Sequence, residues 1–147
     1  MRMSTKGQYG TRALVDLAQR YGKGPILVKD IAKRQGISQH YLEHLFIRLI
    51  AAGMLKSTRG AKGGFALARP PEQIKVSEVI ELMEGSLAPV SCVDDPKACT
   101  RTSSCVMREV WSEMKAAMSG VLESTTLQSL VERQRSKDQN MAATYDI

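Results

Sequence analysis

The stretch that decides the fold runs from Val28 to Ala68 and reads VKDIAKRQGISQHYLEHLFIRLIAAGMLKSTRGAKGGFALA. A short helix is expected over about 28–35, with Ile31 and Ala32 on its apolar side. Gly36 can supply a left-handed stop. Ser38 is a good N-cap for a second helix, which runs to about Ala52. Leu42, Leu45, Phe46, Leu49 and Ile50 fall on its inward face, and Gly53 ends it. Two helices joined by a tight glycine turn read as helix-turn-helix, although a helical hairpin in a bundle has the same pattern. The next residues separate the two readings. Met54 to Thr58 and Phe65 to Ala68 are short strand candidates around the tip RGAKGG, whose glycines bend the chain and whose Arg59 and Lys62 charge it. This is the order of a winged helix, with the second helix in the major groove and the hairpin against the backbone or in the minor groove.

Charge supports that reading. The chain has 147 residues and a net charge of +6. Up to Pro70 there are 13 Lys/Arg against 3 Asp/Glu, and from Pro71 onward 8 against 12. A basic front half suits a polyanion, whereas the mildly acidic remainder suits another task. Ahead of the helix-turn-helix, Tyr9, Ala13, Leu14, Leu17, Ala18 and Tyr21 make one stripe of a helix from about Thr5 to Tyr21. No apolar run approaches the ~20 residues that span a bilayer. The opening MRMSTKGQYG has no apolar signal core, which predicts a cytoplasmic protein.

Behind the hairpin, VSEVIELMEG forms a short amphipathic helix closed by Gly85. A longer helix follows from about Cys105 to Glu123, carrying Val106, Val110, Trp111, Met114, Ala117, Met118, Val121 and Leu122. Few other elements remain to cover so wide a stripe, so a twofold partner is expected to bury it and the protein to be a homodimer. STTLQSLVERQ restarts a helix at a Ser/Thr cap, with Leu127, Leu130 and Val131 inward. The organisation read from these signals is a winged helix-turn-helix over 1–70, a connecting helix, cysteine loop and dimerisation helix over 71–134, and a disordered polar tail over 135–147. The fold class is mostly α with a small β-hairpin.

All three cysteines lie in CVDDPKACTRTSSC, as Cys92, Cys99 and Cys105. An odd number cannot pair completely, and cytoplasmic thiols stay reduced, so ligation or redox chemistry is favoured over disulfides. Six residues separate the first two and five the next two. No CxxC pair is present, so the usual zinc-ribbon spacing is missing. The spacing indicates a metal site and leaves its identity open. No phosphate-binding glycine loop, acid–base pair or thiol-activating histidine is found, which argues against an enzyme and against a small-molecule substrate.

With its three-cysteine loop and Trp-bearing helix, the sequence from DIAKRQG to GGFALA resembles the IscR-type regulators, of which NsrR is a near relative. MRMSTKGQYG matches their start, and the likeness reaches about Gln134. It implies a dimeric winged-helix transcription factor that senses an iron–sulfur cluster, 2Fe-2S rather than 4Fe-4S, and controls cluster-assembly genes. Its ligands would be Cys92, Cys99 and Cys105. The group's fourth ligand, a histidine three residues after the third cysteine, is here Arg108, a permanent cation. NsrR-type relatives take an acidic ligand near the N-terminus, where Gln8 stands. Glu109, Asp94, Asp95, an external thiol or a residue from the partner's N-terminus are the remaining candidates. A nitric-oxide or thiol-redox sensor on the same scaffold and a zinc-stabilised module are the alternatives.

The partner read from these signals is a double-stranded DNA operator. Ser38, Gln39, His40, Tyr41, Glu43 and His44 would present to base edges, with Arg59 and Lys62 on the wing. Lys33, Arg34, Arg48 and Lys56 join the wing cations as phosphate contacts.

Overall fold

The computed structural model describes residues 1–145. Helix α1 (Thr5–Gln19) starts where the Ser4 hydroxyl accepts the Gly7 N–H, and it buries Ala13, Leu14, Leu17 and Ala18. It ends two residues before Tyr21, which is exposed. Helix α2 (Val28–Gln35) spans its expected residues and stops at Gly36, whose φ of 63° is left-handed. Helix α3 (Gln39–Ala51) begins at the Ser38 cap and buries Leu42, Leu45, Phe46 and Leu49. Ile50, expected inward, is 36% exposed, because it flanks the stripe set by those four residues instead of lying within it.

Strands β1 (Leu55–Thr58) and β2 (Gly64–Leu67) pair antiparallel, Leu55 opposite Leu67 and Thr58 opposite Gly64. A third segment joins them. Ile26, in the turn between α1 and α2, exchanges two 2.8 Å backbone hydrogen bonds with Phe65. Gly64 makes this approach possible: its φ is +144°, and a Cβ there would lie 2.5 Å from the Ile26 carbonyl oxygen. The Phe65 ring packs edge-on to Phe46, centroids 4.9 Å apart, and so fixes the hairpin to α3.

Helix α4 (Val76–Glu84) buries Val76, Val79, Ile80 and Met83 and lies against α1. Helices α5 (Val106–Glu123) and α6 (Leu127–Tyr145) follow the cysteine loop. Ile74, Val79, Met83, Leu127 and Val131 belong to the same core as Leu14, Leu17 and Phe46, so burial does not divide at Pro70. Two backbone bonds, Val76 N–H to Thr125 O (2.8 Å) and Leu127 N–H to Ile74 O (2.9 Å), seat the start of α6 on the start of α4. The expected disordered tail is helical to Tyr145; its last two residues, 146–147, lie outside the described residues. No Gly or Pro interrupts 127–145, and Gln134 donates to Asp138 one turn on at 2.9 Å.

A carboxylate is buried beside this core. Asp16 on α1 is 1% exposed. Its carboxylate accepts from Arg34 Nε (2.9 Å) and Nη2 (2.7 Å), from Gln35 Nε2 (3.0 Å) and from Arg20 Nη1 (3.2 Å). Burial alone would raise its pKa. The hydrogen bonds from Arg34 and Gln35 and the charges of Arg20 and Arg34 outweigh burial and hold it below the usual carboxylate value. Removing the carboxylate strands two guanidiniums, each about one-third exposed. Asp16→Ala is therefore expected to lower unfolding free energy by about 2–3 kcal/mol, less than the ~3–5 for a fully buried pair because water partly screens both guanidiniums. Since the folded-state pKa is depressed, this contribution is present above about pH 4 and lost as pH falls through the lowered value. Urea unfolding at pH 7 and pH 3 is expected to show a smaller wild-type-to-variant gap at the lower pH.

Candidate nucleic-acid interface and cysteine loop

The Ser38 cap starts α3 so that Gln39, His40, Glu43 and His44 all stand exposed on one side. They are paired among themselves. Gln39 Nε2 donates to Glu43 Oε1 at 3.1 Å, and the Nε2 atoms of His40 and His44 are 3.1 Å apart with their rings edge-to-face. This is a row of donors and acceptors at one-turn spacing on a solvent-facing helix, as base-edge readout needs. Tyr41 is placed differently. It is half-buried, its hydroxyl is 3.2 Å from Thr5 Oγ1 and its ring meets Tyr9 edge-on, so it ties the start of α1 to α3.

The expected phosphate contacts divide in two. Lys33, Lys56, Arg59 and Lys62 are exposed and have no ion-pair partner among the described residues. Arg34 is held by Asp16, and Arg48 donates to the Leu82 carbonyl oxygen at 2.8 Å, bracing α3 on α4. Arg59 and Lys62 lie on the turn joining β1 to β2. That turn closes through Gly63 N–H to Gly60 O (3.0 Å). The wing therefore carries two cations on a short, closed tip beside α3.

The cysteine loop is a chain of single turns, Ser91–Val93 and Pro96–Ala98, with no long element of its own. Cys92 and Cys105 are half-buried, Cys99 is exposed, and all three are free thiols. Thr102 Oγ1 donates to the carbonyl oxygens of Pro96 (2.8 Å) and Cys99 (2.7 Å). Arg108, in the first turn of α5, donates from Nε to the Cys92 carbonyl oxygen at 3.0 Å. Lys115, two turns further, donates to Asp94 at 2.6 Å, and Ser86 donates to the same carboxylate. Those two bonds, Lys115 first, keep the Asp94 pKa below its usual value. Asp95 accepts the Lys97 N–H at 3.0 Å. Of the acidic candidates for a fourth ligand, Asp94 and Asp95 thus already have partners, whereas Glu109 is exposed.

Three thiols on one segment are a soft donor set suited to an iron–sulfur group. Among the described residues, however, no three His, Cys, Asp or Glu side chains are gathered closely enough to hold a metal ion. The loop supplies the donors without a preformed cage. The arginine, Arg108, that replaces the expected histidine acts on backbone, not on a ligand.

The residue reading missed two elements of this arrangement. Asp16 falls between Ala13 and Leu17 on the apolar stripe of α1, and a carboxylate in that place was the signal of a buried ion pair. The Lys115–Asp94 link, 21 residues apart, leaves no mark in local periodicity.

Comparison with known proteins agrees with this geometry. The family model described as "Rrf2: Iron-dependent Transcriptional regulator" matches residues 3–133. The chain is 39% identical over 130 residues to the HTH-type transcriptional regulator CymR of Bacillus subtilis (strain 168), covering 88% of this chain and 89% of that protein. It is 42% identical over 131 residues to Protein rrf2 of Nitratidesulfovibrio vulgaris, covering 89% and 87%. The structure of B. subtilis CymR, described as the global cysteine regulator, superposes with a TM-score of 0.77 at 38% identity over 90% of this chain and 98% of that one. That of T. potens IscR gives 0.76 at 42% identity over 91% and 88%. These relatives are regulators, not enzymes, and among the described residues no helix is long and apolar enough to cross a membrane. A basic winged helix joined to a cysteine-bearing loop, matched over nearly its whole length, places the chain in the Rrf2 family of transcriptional regulators.

Proposed function

We propose that this protein is a dimeric, cytoplasmic DNA-binding regulator whose loop of Cys92, Cys99 and Cys105 carries an iron–sulfur cluster, and that it controls cluster-assembly genes. The observation that carries the reading is the placement of three free thiols at the entrance to α5, behind a basic reading head. Such a cluster, when bound, supplies a redox- and supply-sensitive group. The chain's own residues transmit its presence. Arg108 and Lys115 fasten the two ends of the Cys92–Asp94 turn to α5, so ordering the loop bears directly on that helix. T. potens IscR, at 42% identity, supports the same reading. The organisation into a reading head (1–70) and a sensing and dimerising arm (71–134) belongs to it.

Helix α5 has no buried residue, and Val106 (71%), Val121 (66%), Met107 and Val110 are exposed. A second copy packing on this face would remove that apolar surface from water. Val110→Glu with Val121→Glu should yield a folded monomer by sedimentation at concentrations where the wild type is a dimer. An unaltered dimer would place the interface elsewhere.

Ser38, Gln39, His40, Glu43 and His44 would face bases, with Arg59 and Lys62 on phosphates. Tyr41 would orient this face from behind. Replacing Arg59 and Lys62 by Gln should weaken binding to all DNA sequences and flatten the plot of log K against log salt by about 1 per residue removed.

Protein isolated without oxygen is expected to be coloured and to contain both iron and acid-labile sulfide, with Cys99→Ser losing them. Colourless protein that does not take up iron and sulfide would reject the cluster. The exposed Cys99, together with the likeness to the cysteine regulator CymR, favours a second reading in that event, thiol-redox sensing. It predicts that peroxide changes DNA affinity in the wild type but not in Cys99→Ser.

A further inference from the structure

A cleft of about 680 Å³ lies between α1, the end of α2 and α6. It is remote in sequence from the cysteine loop, and no role for it follows from DNA reading. Five cations line it: Arg12 and Arg20 from α1, Arg34 from α2, and Arg133 and Lys137 from α6. Among the described residues, only two carboxylates, Asp16 and Asp138, line the same space. Both have partners: Asp16 is taken by Arg34, Arg20 and Gln35, and Asp138 accepts from Gln134.

The cations are not exhausted by these bonds. Arg34 uses Nε and Nη2 on Asp16, which leaves Nη1 without a partner among the described residues. Arg12 turns Nε and Nη2 to Gln35, whose carbonyl and side-chain oxygens accept them, and Nη1 is likewise left over. Arg133 and Lys137 have no side-chain hydrogen bond or ion pair among the described residues. Val15 and Leu130 add an apolar patch to the lining. Like charges gathered in a concave space repel one another, and a polyanion relieves that repulsion while filling the unused donors. Guanidiniums fixed by other bonds are preorganised for oxyanions.

We propose that this cleft binds a small organic polyanion, with two or more carboxylate or phosphate groups on a short carbon stem. The volume falls in the range of small-molecule sites and exceeds what one inorganic ion fills. The ligand would bridge α2, the first helix of the helix-turn-helix, to α6. The proposal is independent of the cysteines, so the iron–sulfur reading can fail without affecting it.

The test uses the full chain, with citrate and inorganic phosphate as probes, titrated at constant ionic strength against sodium chloride and read by calorimetry and thermal midpoint. Saturable binding is expected, weakened at least tenfold in Arg133→Gln/Lys137→Gln. The charge-matched control Lys23→Gln/Lys29→Gln, outside the cleft, should bind as the wild type does. Tighter citrate would assign a polycarboxylate, and equal or tighter phosphate a phosphorylated ligand; either supports the site. Absence of saturable binding with both probes overturns it, as does equal weakening in the two double variants. If neither probe binds while Arg133→Gln/Lys137→Gln lowers the salt slope for non-specific DNA, the cleft is a backbone contact and the proposal is wrong. Both side chains are exposed on α6, and the unliganded midpoints of the variants report folding directly.

Discussion

The molecule depends on one buried carboxylate. Asp16 lies on the apolar stripe of α1 and draws in the final two residues of α2, Arg34 and Gln35, while Arg20 closes the cluster from its own helix. Hydrophobic packing alone is non-directional, and it would let α2 slide or rotate on α1. Two neighbouring side chains of α2 meeting a single carboxylate on α1 permit one register. The α2 terminus, the left-handed turn at Gly36 and the Ser38 cap then follow in sequence, and the exposed row from Gln39 to His44 is aimed by a contact that it does not touch.

The aim is reinforced from two other directions. Tyr41 reaches back to Thr5 and Tyr9, and Arg48 reaches to the backbone of α4. Neither residue is a free surface group, although both stand on the helix that carries the exposed row from Gln39 to His44. Exposed and engaged positions alternate along α3 with the helical period, so one helix both offers an open face and is held.

Much of this was legible in the residues. The α2–turn–α3–hairpin order showed itself because Gly36, Ser38, Gly53 and the RGAKGG tip are local signals with local causes. The cysteine triad was equally plain. What escaped the sequence was set by distant pairings. Ile50 reads as inward because spacing cannot fix where a stripe ends. The polar tail reads as disordered because its composition offers no stripe beyond Val131, yet a run free of Gly and Pro carries α6 to Tyr145. The Asp16 cluster and the Lys115–Asp94 link join residues 18 to 21 positions apart on different elements. For the candidate site the division is similar: the thiols are visible in sequence, whereas their spread, with no ready cage among the described residues, is a matter of loop conformation.

The strand contact of Ile26 with Phe65 has a mechanical consequence. It stitches the wing to the turn before α2, so the hairpin cannot swing while the helices stay still. Wing, turn and α3 travel as one stiff paddle. If two copies meet along α5, the span between their paddles is governed by the angle of that single hinge shaft, and a small tilt at the thiol-bearing end is magnified into a wider or narrower grip on the double helix.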